Sequence, residues 1–300
     1  MDHSKDIALT VVSYGGGQDT TYFVHRLCVD PAFRAKHIAG KLLIVGSDTG
    51  DEHPHTYQNI ERVKKLCALH NIEFHWLTND MGYHREAWKT LTHQYIKNSS
   101  CGSAAYQQTC TDNLKVKVVD RFVESWIKSR YGYTGTKKRA FYQFYTSQGP
   151  IRLILGFAAA EEGRTSAGNK FDAKWKRDTV QRYYPLIIDG TSRQDCINYL
   201  EAADWTVFPS NCMRCFYQSL PEILWLYRNY PAKFNEWVAI EKAKIDKYAA
   251  SGFEGKNFGV YGKKTLSEKL VQAIEQFGHL TDDELNEYKY SHGHCIKSKY

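Results

Sequence analysis

Ser13-Tyr14-Gly15-Gly16-Gly17-Gln18-Asp19-Thr20 is the stretch whose reading decides the fold. Ahead of it runs Ile7-Ala8-Leu9-Thr10-Val11-Val12, apolar and rich in β-branched residues, as a buried strand should be. Behind it, Phe23, Val24, Leu27 and Cys28 fall on one helical face. Strand, glycine turn and helix make a place for a phosphate. Glycines let the backbone approach an oxyanion, and the amides of a first helical turn point at it along the helix dipole. A Walker loop would end in Gly-Lys-Ser/Thr, and a dinucleotide fingerprint would space its glycines one and two residues apart; this stretch does neither. A different phosphate loop and an ordinary glycine-rich turn are the two readings it leaves.

The 300 residues allow one large domain, or a domain with a smaller appendage. No apolar run approaches a membrane span, and the N-terminus lacks the apolar core of a signal peptide, so a cytoplasmic protein that meets no membrane is expected. In that compartment eight cysteines argue for metal, catalysis or buried thiols instead of a disulfide frame. A net charge of +7 suits a polyanionic partner and suits plain solubility equally.

Strand patterns recur at Lys41–Ser47, closed by Asp48-Thr49-Gly50, and at Ile72–Leu77, with a helical pattern at Tyr57, Ile60, Val63, Leu66 and Cys67 between them. This alternation predicts an α/β protein with a doubly wound parallel sheet. Ligands then sit beyond the carboxyl ends of the strands, where loop 13–20 and Asp48 meet. Asp48 would hold a ribose hydroxyl or Mg²⁺ there, or would cap its own turn. His53 and His55 flank a proline in a polar turn and are expected to be exposed, with Cys28 and Cys67 in the core. Cys110-Thr111 followed by Lys115 and Lys117 sets a thiol at a helix start in a positive field, which favours thiolate. Residues 128–150 interleave basic and aromatic side chains, suited either to a nucleic-acid surface or to a solvated hairpin packing its rings on the sheet. Ile151–Phe157 reads as another strand, leading to Ala160-Glu161-Glu162-Gly163-Arg164, and Pro185–Gly190 as a last short strand. Ser192 is the expected N-cap of the helix that follows.

Cys196 lies in that helix, and Cys212-Met213-Arg214-Cys215 comes sixteen residues later. The Cys-x-x-Cys pair can chelate one metal from a tight turn, and Cys196 with Cys110 would complete four thiolates; zinc and a [4Fe-4S] cluster are both compatible with such a set. From about Pro221 the pattern is helical, through Leu224, Phe234, Trp237, Leu266 and Leu270, to a last helix opening at Thr281-Asp282-Asp283-Glu284. The expected division is therefore a domain over residues 1–220 and a helical C-terminal appendage over 221–300.

Taken in order over residues 6–225, these elements resemble the PP-loop ATP pyrophosphatases, in the iron–sulfur branch of the phosphoadenosine phosphosulfate reductase-like family. Gly15 stands where that family often has serine, Gln18 where it often has lysine, and Asp19-Thr20 match its ending. The resemblance implies ATP and Mg²⁺ as cofactors, with ATP on Ser13, Gly15, Gly16, Gly17, Gln18, Asp19, Thr20 and Asp48. It makes Asp19, Asp48 and Arg164 the catalytic residues, and favours a [4Fe-4S] cluster over zinc on Cys110, Cys196, Cys212 and Cys215. The tail Ser291-His292-Gly293-His294-Cys295-Ile296 lacks the reductases' Glu-Cys-Gly-Leu/Ile-His, which turns the expectation away from sulfonucleotide reduction. What remains is adenylylation of a nucleic acid for sulfur insertion. DNA phosphorothioation, fed by a cysteine desulfurase and carried by a homodimer, is favoured over tRNA thiolation. A phosphosulfate reductase and a non-catalytic nucleotide-binding subunit are the alternatives. Cys101 and Cys295, by their loop and tail positions, are candidate persulfide carriers.

Overall fold

The computed structural model describes residues 6–103, 109–165, 172–253 and 259–291. Five strands, β1 (Leu9–Tyr14), β2 (Lys41–Ser47), β3 (Glu73–Leu77), β4 (Ile151–Leu155) and β5 (Val180–Tyr183), form one parallel sheet in the order β3-β2-β1-β4-β5. The order reverses between β1 and β4, so the crossovers lead to opposite sides and a crevice opens at the carboxyl ends of those two strands. Period-two alternation splits each strand between two cores. Val12, Tyr14, Ile44 and Ile154 face α1 (Gln18–Val29), α3 (Pro54–Leu69) and α9 (Arg193–Ala202). Leu9, Val11, Leu43 and Val45 face α5 (Lys117–Tyr131) and α6 (Arg139–Ser147).

The remaining helices are α2 (Pro31–His37), α4 (Leu91–Lys97), α7 (Lys174–Thr179), α8 (Pro185–Ile188), α10 (Leu220–Asn229), α11 (Pro231–Ala250), α12 (Leu266–Phe277) and α13 (Asp282–Ser291). Trp237, Leu266 and Leu285 of the C-terminal helices share a core with Cys101, Met213 and Phe216 of the preceding chain. The expected boundary at 220/221 falls one residue inside α10, and the helices beyond it bury their apolar face against the α/β part. Among the described residues no helix is long and apolar enough to cross a membrane.

Three local expectations are corrected. Pro185–Ile188 is helical, because proline at the first helical position is already set to helical φ; the last strand is the half-polar Val180-Gln181-Arg182-Tyr183 just before it. Residues 128–147 form the end of α5 and then α6, and their basic groups are largely used within the chain. Lys128 and Lys138 pair with Glu124 at 3.5 and 2.7 Å, and Arg130 pairs with Glu73 at 2.8 Å. Their rings pack inward, Tyr131 on Phe144 and Phe141 on Trp175. His53 and His55 are not exposed. They stack with ring centroids 5.1 Å apart, His53 against Trp225 and His55 against Phe208, and burial pulls His55 down to about 4.

One glycine fixes how closely β2 and β3 pack. A Cβ on Gly46 would stand 2.4 Å from the Trp76 ring and 2.7 Å from the Tyr14 carbonyl oxygen. Gly46→Ala is therefore expected to lower stability by about 1–3 kcal/mol through overpacking, read as a lower urea midpoint; an unchanged midpoint would mean that Trp76 swings aside freely.

Candidate nucleotide site

The crevice is open to solvent, with about 960 Å³ of empty space counting its mouth. Ser13 and Tyr14 of β1, Gly46 and Ser47 of β2, and Leu155, Gly156 and Phe157 at the end of β4 form its base. Gly15, Gly17, Gln18, Asp19 and Thr20 close one side; Thr111, Lys115, Val119, Arg164, Arg193, Pro209 and Ser210 complete the lining.

The glycine loop is held by its carbonyls. Asn59, on the inward face of α3, donates from Nδ2 to the Gly16 carbonyl at 3.0 Å and to Thr21 Oγ1 at 2.8 Å, while its Oδ1 accepts from Trp205 Nε1 at 2.8 Å. Ser210 donates to the Gly15 carbonyl at 2.6 Å. Gly16 has φ +77°, and a Cβ there would meet Thr56 Cγ2 at 2.9 Å, so glycine is required twice over. Gly15 has nothing within 4 Å of such a Cβ, which leaves room for the serine that the PP-loop pattern often carries there. Gly17 is the N-cap of α1 and no side chain caps that helix, so its first-turn amides are available to an anion.

Charge is arranged around this loop as a chain of alternating signs. Arg193 Nη2 lies 3.1 Å from Asp19 Oδ2 and 3.1 Å from Glu161 Oε1, and Arg164 Nη1 lies 3.1 Å from the same Glu161 oxygen. Burial pushes the Asp19 carboxyl up, with Arg193 pulling it back. Lys115 reaches the crevice from the π-helical turn Asp112–Val116 and pairs with the buried Glu52 at 3.4 Å. Gln18 is 3% exposed, and its Nε2 donates to the Tyr290 carbonyl of α13 at 3.2 Å.

Of the expected nucleotide ligands, Ser13, Gly15, Gly17, Gln18, Asp19 and Thr20 line the crevice, as does the expected catalytic residue Arg164, and Gly16 supports the loop. Asp48 does not line it. Its Oδ1 accepts from the Gly50 amide at 2.8 Å and from the Tyr57 hydroxyl at 2.8 Å, which is the turn-capping role. Arg193, Asn59 and Ser210 were missed as site residues. Two of them carry a signal: Asn59 is a polar residue on the apolar face of a helical pattern, and Arg193 places a cation at a helix N-terminus, against the dipole, where only a strong partner favours it.

The four expected thiolates are not brought together. Cys110, Cys212 and Cys215 share the surroundings of Tyr95, whose hydroxyl they push up together with its burial. Cys196 instead faces α1 in the core below the sheet, fully buried, and burial pushes its thiol up. Among the described residues no three His, Cys, Asp or Glu side chains form a group that could hold a metal ion. The Cys₄ set therefore does not fit these positions. Cys101 is also buried, receives Lys244 Nζ at 3.7 Å, and is pushed up to about 11, so it is not an exposed loop thiol. Cys295 lies outside the described residues.

No family model matches the chain, and no curated protein matches it. Among solved structures it is similar to the U34-tRNA thiolase NcsA from Methanococcus maripaludis with its [4Fe-4S] cluster, at 14% identity and a TM-score of 0.37, over 94% of this chain and 85% of that one.

Cys196→Ser is expected to leave the iron and zinc content of anaerobically purified protein unchanged, because Cys196 is buried in the core against α1 and not in the clusters that hold Cys110 and Cys212; metal lost on that substitution would restore the four-thiolate set.

Proposed function

We propose that the chain is an ATP-using enzyme of the PP-loop kind, which transfers AMP to an oxygen of its substrate and so prepares that carbon or phosphorus for sulfur. What carries the reading is one arrangement: an uncapped helix N-terminus behind a glycine loop, at the sheet's switch point, faced by Lys115, Arg164 and Arg193. Amides and cations converging on one point suit a triphosphate.

In the proposed reaction the substrate oxygen attacks the α-phosphorus of ATP and the bond to the β-phosphate oxygen breaks. The products are an adenylylated substrate and pyrophosphate; a sulfur nucleophile then displaces AMP. The protein's part is positioning and electrostatic. Loop amides hold the phosphates, and the guanidiniums of Arg164 and Arg193 with the Lys115 ammonium offset the negative charge that grows on the leaving pyrophosphate. Asp19 holds Arg193 in place and is the carboxylate in the lining able to meet Mg²⁺ arriving on the triphosphate. No step is assigned to an iron–sulfur cluster, since the four cysteines do not assemble.

The acceptor proposed is a nucleic acid, on the strength of the +7 charge, with tRNA thiolation and DNA phosphorothioation as its two forms and a cysteine desulfurase as sulfur donor. Because Gln18 and not lysine occupies the loop, a nucleotide-binding subunit without turnover is the second reading.

Pyrophosphate release from ATP, with tRNA or DNA and a sulfur source present, tests the proposal. Release is expected, with thiolated nucleosides from the tRNA arm or phosphorothioate linkages from the DNA arm identifying the acceptor. Binding without release would favour the subunit reading. Arg193→Ala and Lys115→Ala should each lower kcat by about 10²-fold, the usual effect of removing one such charge-stabilising donor. Asp48→Asn should cost far less; a loss equal to that of Arg193→Ala would return Asp48 to the site.

A further inference from the structure

The Gln18 side chain, at the start of α1, reaches across to the C-terminal helix. Gln18 donates to the Tyr290 carbonyl across 272 residues of sequence. One residue earlier in α13, Lys289 is 1% exposed, and its ammonium reaches Asn211 Oδ1 at 2.7 Å and Glu222 Oε1 at 3.2 Å. Tyr290 sets its ring edge-on to Phe208, with centroids 5.5 Å apart, and donates from its hydroxyl to Glu201 at 2.7 Å. Residues 208–211 are thus caught between α13 on one side and the glycine loop on the other. On the loop side Ser210 donates to the Gly15 carbonyl, and its amide nitrogen would lie 3.3 Å from a Cβ on Gly17.

We propose that α13 is a strap that positions the glycine loop, with Gln18 and Lys289 as positioning residues. A buried ammonium is a poor choice for stability alone, because an apolar side chain of similar volume does as well or better. It accepts few arrangements, however, and here the arrangement it accepts fixes Asn211, next to the serine that holds Gly15. The direct latch at Gln18 and the indirect one through Lys289 act on neighbouring residues of the same loop. By linkage, a ligand that binds the ordered loop must tighten the docking of α13 to the same extent. The ATP reading enters this proposal through the choice of ligand alone.

Hydrogen exchange followed peptide by peptide on the full chain tests it. Without ligand, Gln18→Ala is expected to raise exchange over residues 13–20 and over α13 by about tenfold, leaving β3 unchanged, as opening of a local unit does. Gln18→Glu keeps the shape but loses the donor, and should behave like alanine; wild-type exchange in that variant would show that volume and not the latch matters, and would overturn the proposal. Lys289→Met should loosen the same two segments. Should it fail to fold because Glu222 is left buried and charged, Lys289→Met with Glu222→Gln removes both charges and carries the comparison. Adding ATP to the wild-type protein should slow exchange over α13, and should do so less in Gln18→Ala. If calorimetry shows that the wild-type protein binds no ATP, the nucleotide reading fails while the ligand-free comparison still decides the strap. Unchanged exchange over residues 13–20 in Gln18→Ala overturns it.

Discussion

The site depends on which way the peptide groups of residues 15–17 face. A loop that is to receive an anion must turn its N–H groups to the ligand and bury its carbonyls, and each buried carbonyl needs a donor. Asn59 supplies one to Gly16 and Ser210 supplies one to Gly15. Those donors come from α3 and from the turn after α9, elements separated from the loop by about 40 and 195 residues of chain. Once the carbonyls are tied back, the uncapped start of α1 has one open direction, the crevice.

The same economy of polar groups shapes the surroundings. Arg193 is shared between Asp19 and Glu161, and Glu161 is shared with Arg164, so that cations stand in the crevice already oriented. Asp51 accepts from the Arg214 amide at 3.0 Å and pairs with the Arg214 guanidinium, while its own carbonyl accepts from the Met213 amide at 2.7 Å. This binds the Asp-Thr-Gly turn region to the Cys-x-x-Cys turn. Burial raises the Asp51 carboxyl to about 6 against the pull of Arg214, the expected balance for a pair wholly out of water. The basic stretch 128–147 is the counter-example on the surface: Lys128 and Lys138 are answered by Glu124 and Arg130 by Glu73, and its rings pack as scaffold.

Much of the fold was legible in the chain. β1, β2 and β4 are apolar runs set between helical patterns, as strands largely buried on both faces have to be written, while β3 at the other edge shows itself through Phe74, Trp76 and Leu77. β5 was not legible, because Val180-Gln181-Arg182-Tyr183 sits at the sheet edge with only part of its surface covered, and the more apolar Pro185-Leu186-Ile187-Ile188 next to it looks more like a strand than it does. The histidines at 53 and 55 looked like surface residues because their cover, Trp225 and Phe208, is about 150 residues or more away in sequence.

By itself the sequence determined the doubly wound sheet, the glycine turn between β1 and α1, the capping of α9 by Ser192, and the helices that dominate the described residues after 220. Those features follow from local periodicity and from backbone freedom at glycine, which act within a few residues. The tertiary structure alone decided that Arg193 and Lys115 join the loop, that Asp48 closes its own turn, that Gln18 latches onto α13, and that Cys196 stands apart from Cys110, Cys212 and Cys215. Each of those is a choice of side-chain partner across the fold. A residue's type limits what it can pair with, but which partner arrives beside it is set by how the helices pack on the sheet.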